Sequence, residues 1–289
     1  EPLVAILYPP LHINILLASF YTCLITDVLK MSSPGILIPP ATGAPASTLP
    51  LSSLLKMGLK FKQDNMLWLT WLYCPNHDEY STEDANADLN SWLVNTRPSV
   101  VQKSADIAWI SFAIRGGNRG PKNDPDKAME LWELEETPKN IASLVRIAKE
   151  SPCLSGKWLI FLKPDGVDQV WQDICLAMAR NHFEGDVFSA KVSPRALEDD
   201  IDGQNHVICV YTKDFTNRKQ CLKVEKKLRE LGISQYLNYK PDLYTHLGIY
   251  RNNPWKIKAT AYNSNYHHRS KTSQISFSLT SGMNITVIN

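Results

Sequence analysis

Gly156-Lys157-Trp158-Leu159-Ile160-Phe161-Leu162 is a strand-length apolar run, and Pro164-Asp165-Gly166 right after it has the residues of a turn. From Asp168, which can cap a helix, Val170, Trp171, Ile174, Ala177 and Met178 form one apolar face to about His182, and Gly185 ends it. Val187 to Val192 and His206 to Tyr211 read as two more strands, separated by an acidic loop from Glu198 to Asp202 that closes at Gly203. So short and polar a connection predicts an antiparallel pair. Asp214 or Thr216 caps a further helix, with Cys221, Val224, Leu228 and Leu231 facing inward and Leu231-Gly232 as its end. Leu247 to Tyr250 and Ile257 to Tyr262 can add strands.

Upstream, Asp106 to Ile114 is an apolar strand that ends at Arg115-Gly116-Gly117-Asn118-Arg119-Gly120. That basic segment reads either as an exposed turn or as one unit of the arginine-glycine type that tracks RNA backbones. Asp124 to Glu136 is acidic around Trp132, and Thr137-Pro138 is a helix start running to about Glu150. Order is expected from about Ser104. Residues 1–103 are expected to be a poorly structured region with an apolar segment and a Pro/Ser-rich linker, residues 104–262 the folded domain, and residues 263–289 a loose polar tail.

The chain has 289 residues, a hydrophobic content of 44% and a formal net charge of +2, values of a soluble protein with a packed core. So small a charge does not argue for nucleic acid or an acidic membrane, and only local charge can carry that case. Six scattered cysteines without a C-x-x-C pair point to a reducing, cytoplasmic setting, with Cys175, Cys209 and Cys221 as small core hydrophobes. The apolar run near the N-terminus is broken by Pro9 and Pro10 and falls short of the ~20 residues a spanning helix needs, so a membrane partner is not expected.

Two resemblances rest on these runs. Lys157 to Leu162, Val170-Trp171, Phe188-Ser189-Ala190-Lys191-Val192 and His206 to Thr212 are similar, in order and spacing, to the cap-binding translation initiation factor of the 4E type. Ser155-Gly156-Lys157-Trp158, Ala190-Lys191-Val192-Ser193-Pro194, His206 to Thr212, Tyr239-Lys240-Pro241-Asp242 and Gly248-Ile249-Tyr250-Arg251 resemble the uncharacterised basophilic-leukaemia-expressed protein family. The implied fold class is α+β, a curved, mainly antiparallel sheet with about three helices packed on one face.

Cap recognition uses two aromatic planes around a cationic base, a carboxylate on the base edge and basic groups on the phosphates. Trp132-Glu133 has the order of the factor's base-reading pair, although Trp132 can equally anchor the sheet edge. Trp109 could supply the second plane or lie in the core. Arg195 follows its strand as a phosphate-contacting arginine would, and Lys191 is the neighbour that could substitute. Trp132, Glu133, Lys191, Arg195 and Arg115 form the expected site for RNA or a capped nucleotide on the concave face of the sheet.

Chemistry for catalysis is missing from the pattern. No phosphate-cradling glycine motif is present, the seven histidines form no His-x-x-x-His pair, and Cys74-x-x-His77 lacks a second pair of zinc ligands. His206 has no nucleophile to serve. The expectation is therefore a non-enzymatic binding protein without a cofactor. The alternative is a protein interaction module that has lost the ligand and engages a protein partner through its helical face, at Trp171 or the basic Lys219 to Arg229 surface.

Overall fold

Alternation along the central strand separates two faces. Gly156, Trp158, Ile160 and Leu162 are buried, whereas Lys157, Leu159 and Phe161 keep surface in water. The structure, a computed structural model, describes residues 60–61, 67–73, 82–103, 107–196, 205–279 and 284–288. Within these, the strands are β1 Lys60–Phe61, β2 Leu67–Tyr73, β3 Ile107–Ile114, β4 Gly156–Leu162, β5 Val187–Val192, β6 His206–Thr212, β7 Leu237–Pro241, β8 Tyr262–His267, β9 Thr272–Phe277 and β10 Asn284–Ile288. They form one sheet in the order β1-β2-β3-β5-β6-β4-β7-β8-β9-β10, and β2–β3 is the parallel pair. The expected class is borne out: α+β, with a curved and mainly antiparallel sheet.

The described residues hold six helices: α1 Thr82–Asn95, α2 Pro125–Glu133, α3 Ile141–Glu150, α4 Pro164–Ala179, α5 Arg218–Glu230 and α6 Asp242–His246. All six contribute to the buried cluster on the Trp158 side of the sheet. The expectation of about three was low because α1, α2 and α6 were hidden in polar or strand-like sequence. Local chemistry explains the starts: Asn140 accepts from the backbone of Ala142 and Ser143, Asn217 from Gln220, and Asp124 from Lys127 with Pro125 behind it.

Three starts differ from expectation. The 141–150 helix is capped by Asn140 and not Thr137, and α5 by Asn217, while Asp214 instead accepts from Thr216. Helix α4 begins at Pro164, because proline is preorganised for a first helical turn. Asp168 is therefore inside α4, and its carboxylate accepts from Ser99 N at 2.9 Å and Ser99 Oγ at 2.5 Å, tying the 97–103 segment to the helix.

The core is centred on Trp158. Its ring meets Tyr239 edge-on at 5.2 Å, Tyr239 meets Tyr262 at 5.3 Å, and its Nε1 donates to the Cys221 carbonyl at 3.2 Å. Tyr262 Oη donates to the Phe215 carbonyl at 2.8 Å, and Tyr239 Oη shares a hydrogen bond with Thr212 Oγ1 at 2.6 Å. Gly156 is required here: a Cβ would lie 2.6 Å from Tyr239 Oη. Burial raises the thiols of Cys209 and Cys221 to about 11 and about 12, consistent with inert packing.

Both expected boundaries need correction. Upstream of Ser104, β2 pairs with β3, and Leu69, Trp71, Leu89, Trp92 and Leu93 are buried. The three α1 residues recur at helical spacing within an acidic stretch, so local polarity masked the stripe. Downstream, residues 263–279 are not a loose tail. Ser264 and Ser273 are buried because they donate to the buried Glu225 carboxylate at 2.5 and 2.7 Å. Arg229 completes this lock, with Nε 2.6 Å from Glu225 and further bonds to Ser264 and the carbonyls of Ile233 and Gln235. Leu247 to Tyr250 and Ile257 to Ala261 form a loop and not strands, with Gly248 in the left-handed region. The apolar N-terminal segment, the Pro/Ser-rich linker, Cys74-x-x-His77 and the Glu198 to Asp202 loop lie outside the described residues.

Gly156→Ala should lower unfolding free energy by about 1–3 kcal/mol, the usual range for overpacking. Glu225→Gln, which strands the Arg229 guanidinium without its buried counter-charge, should lower it by about 3–5 kcal/mol. Urea denaturation checks both, and an unchanged midpoint for either would contradict the packing described.

Candidate functional site

Residues of the other parity make the outer face of the sheet. The pairing registers place Lys191 opposite Cys209, Lys157 opposite Tyr211, and Lys240 opposite Lys157. Lys191, Lys157 and Lys240 therefore run across four adjacent strands, β5-β6-β4-β7. Each ammonium lies against an aromatic ring. Lys191 Nζ is 3.9 Å from the Trp109 ring centroid and 5.7 Å from that of Tyr211, Lys157 Nζ is 5.5 Å from Tyr211, and Lys240 Nζ is 3.7 Å from Tyr250. Such contacts hold a cation by about 0.5–1 kcal/mol where exposed.

Asp242 positions the middle lysine. Its Oδ1 accepts from Lys157 Nζ and its Oδ2 from Ser155 Oγ at 2.6 Å, while Ser155 Oγ accepts from Asn123 at 2.8 Å. Lys240 feels the crowding: burial, and then the Lys157 charge, push its ammonium down to about 8. Burial also raises the Tyr211 hydroxyl well above its ordinary value, so it remains a neutral donor. Cations already partly desolvated beside aromatic planes suit an anion carrying flat rings, as in nucleotide recognition.

The expected site residues are scattered. Lys191 is on the outer face, and Trp109 lies there beneath it rather than in the core. Arg115 is exposed at the strand ends shared with Lys157, where its turn approaches Lys213 through Gly120. Arg195 is exposed at the opposite ends of β3 and β5, where its backbone pairs with Val101 and Lys103. Glu133 is exposed on α2.

Trp132 is 4% exposed and packs edge-on to Trp255 at 5.0 Å, with Lys139 above both rings. It is a core anchor and not an open stacking plane, because α2 needs an apolar residue where it meets α6. The helical face is partly taken up: Trp171 is 1% exposed, Arg229 sits in the lock, and Lys223 and Lys227 pair with Glu184, Asp186 and Glu230, while Lys219 and Lys226 are exposed.

Lys157, Lys240, Tyr211 and Tyr250 were missed as site residues. A signal existed for the first three, because each alternates with a core residue of its own strand. Tyr250 arrives from a loop and had none.

Residues 68–248 match the family described as basophilic leukemia-expressed protein Bles03. Among solved structures, the chain is similar to a complex of C. elegans eIF4E-3 with the 4E-binding protein Mextli and cap analog, at 21% identity over 32% of this chain and 53% of that one, with a TM-score of 0.28. A complex of C. elegans eIF4E-3 with Mextli gives 20% identity, 32% and 55% coverage and a TM-score of 0.28. A complex of Ascaris suum eIF4E-3 with m2,2,7G cap gives 20%, 30% and 50%, and 0.26. The chain spans about half the length of these proteins.

Lys240 should leave a signature in stability. Its folded value, about 8, lies below the ordinary 10.5, so between these pH values the unfolded chain binds more protons and stability rises with pH. Below that window the charged form is a burden. Lys240→Met should stabilise the protein by about 1 kcal/mol at pH 7 after solvent screening, with the advantage shrinking towards pH 10. Urea titrations at the two pH values test this, and a pH-independent difference would refute it.

Proposed function

The chain belongs to the basophilic leukemia-expressed protein Bles03 family, and we propose that it is a non-enzymatic protein that binds RNA or a nucleotide on the outer face of its sheet. The observation that carries this reading is the row Lys191, Lys157 and Lys240, each ammonium set on an aromatic ring. Phosphate oxygens would take the ammoniums, and a base would stack on the Trp109 or Tyr250 ring that a lysine head vacates. Arg115 extends the basic surface at the Lys157 end. Trp132 supports the fold and contacts no ligand.

The arrangement calls for no bond-breaking group. His206 is buried, and its Nδ1 is engaged with the Ser193 carbonyl at 2.8 Å. The protein-partner reading has less support, because Trp171 is buried and Arg229, Lys223 and Lys227 are internally paired, which leaves Lys219 and Lys226 as the exposed cations of that helix face. Among the described residues no helix is long and apolar enough to cross a membrane.

Fluorescence titration with capped and uncapped RNA oligomers at low salt is the direct test. Binding should weaken with salt at a slope of about −2 in log K against log salt, as expected for three phosphate contacts on a single strand. The combined Lys157→Gln, Lys191→Gln, Lys240→Gln variant should lose at least tenfold in affinity, while Trp132→Phe should not change it. Affinity should also fall between pH 7 and 9 as Lys240 loses its proton, and Lys240→Arg should abolish that fall. No binding of either RNA, or full affinity in the lysine variant, would end this assignment.

A further inference from the structure

The loop between Tyr250 and β8 has not been used by the outer-face site, yet it begins there. Tyr250 carries Lys240 on its ring, and at the other end of the loop Thr260 Oγ1 donates to Asn263, the β8 residue opposite Asn238. Between these anchors the loop borders an open surface depression of about 560 Å³ lined by Arg251, Lys256 and Lys258 together with Asn252, Asn253 and Thr260. All three cations are exposed.

The loop's shape is built in. Buried Asn253 donates to the carbonyls of Tyr250 and Ile257 at 2.7 and 2.6 Å, and accepts from Ile257 N at 3.0 Å. Ile257 is buried, and Trp255 is packed against Trp132. Lys256 is held in the left-handed region at φ 54°, a conformation a lysine adopts only when its surroundings fix it. A basic concavity whose backbone is fixed by its own buried amide is preorganised for a compact, multiply charged oxyanion.

We propose that this loop is a phosphate pocket, and that it adds one separate phosphate contact to those made by the sheet-face lysines on the same single-stranded RNA. This second part rests on the outer-face reading. The ligand class narrows accordingly: a mononucleotide fills only the sheet face, whereas an oligonucleotide reaches both.

Two probes separate the parts. Inorganic pyrophosphate should shift the amide resonances of Ile257 and Ala259 saturably in the wild type and in the Lys157→Gln, Lys191→Gln, Lys240→Gln variant. It should not do so in an Arg251→Gln, Lys256→Asn, Lys258→Gln variant, where asparagine is chosen because it tolerates the left-handed backbone. A uridylate hexamer should bind the loop variant about tenfold more weakly, with its salt slope reduced by about 0.7, the share of one phosphate on a single strand, and uridine monophosphate binding unchanged. Absence of a saturable pyrophosphate shift in the wild type overturns the pocket. Unchanged hexamer affinity and slope in the loop variant overturn the shared ligand while leaving the sheet face standing. A hexamer that binds no form of the protein sinks the outer-face reading, and the pyrophosphate result then decides the pocket alone.

Discussion

The Tyr239 hydroxyl occupies the space that a side chain at position 156 would need, and much of the architecture follows from that exclusion. With glycine there, Tyr239 can reach Thr212 across β4 and stand edge-on to both Trp158 and Tyr262. One aromatic group thereby fixes β4, β6, β7 and β8, and the Trp158 bond to the Cys221 carbonyl adds α5. Edge-to-face pairs contribute about 0.5–1.5 kcal/mol each beyond the area they bury. Their larger effect is to set the register. In a pleated sheet a one-residue slip exchanges the faces, so burying Trp158 obliges Lys157 to face outward.

The same logic makes the outer face electrostatically unusual. Lys157 and Lys240 are directly opposed on neighbouring strands, an arrangement that ordinarily destabilises a sheet. Asp242, at the first turn after β7, relieves only the Lys157 side. Lys240 keeps no such partner in this pair, and burial first and the Lys157 charge second make it hold its proton less firmly. Structural needs would be met as well by neutral residues at these places, which is why the row reads as a site and not as scaffold.

The central alternation was legible because β4 is bounded by turn residues and buries one parity, as β6 does apart from Cys209. What escaped the sequence was everything determined at a distance. Asp168 has the look of a cap but serves Ser99, since Pro164 alone suffices to start the helix. Ser264 and Ser273 read as solvent residues until Glu225 and Arg229, two turns of α5, supply their partners. Trp132-Glu133 matched a binding pair in order, but a tryptophan beside a carboxylate carries no information about which layer its helix joins. The outward placement of Lys191 was legible, since its strand neighbours Ala190 and Val192 are buried and it must point away from them.

Trp255 shows why the burial of Trp132 bears on where a base could stack. The pair joins α2 to the loop after Tyr250, and Lys139 above both rings occupies the position an external cation would take. Opening this contact to admit a base would expose two indoles and release the loop that presents Arg251, Lys256 and Lys258. A ligand stacked on Trp132 would thus dismantle a basic wall as it gained an aromatic one. Stacking on the Tyr250 ring carries no such penalty, since its contact is with the Lys240 head. The tryptophan pair ties the loop to α2, and the Asn253 hydrogen bonds hold the loop's own shape beside it.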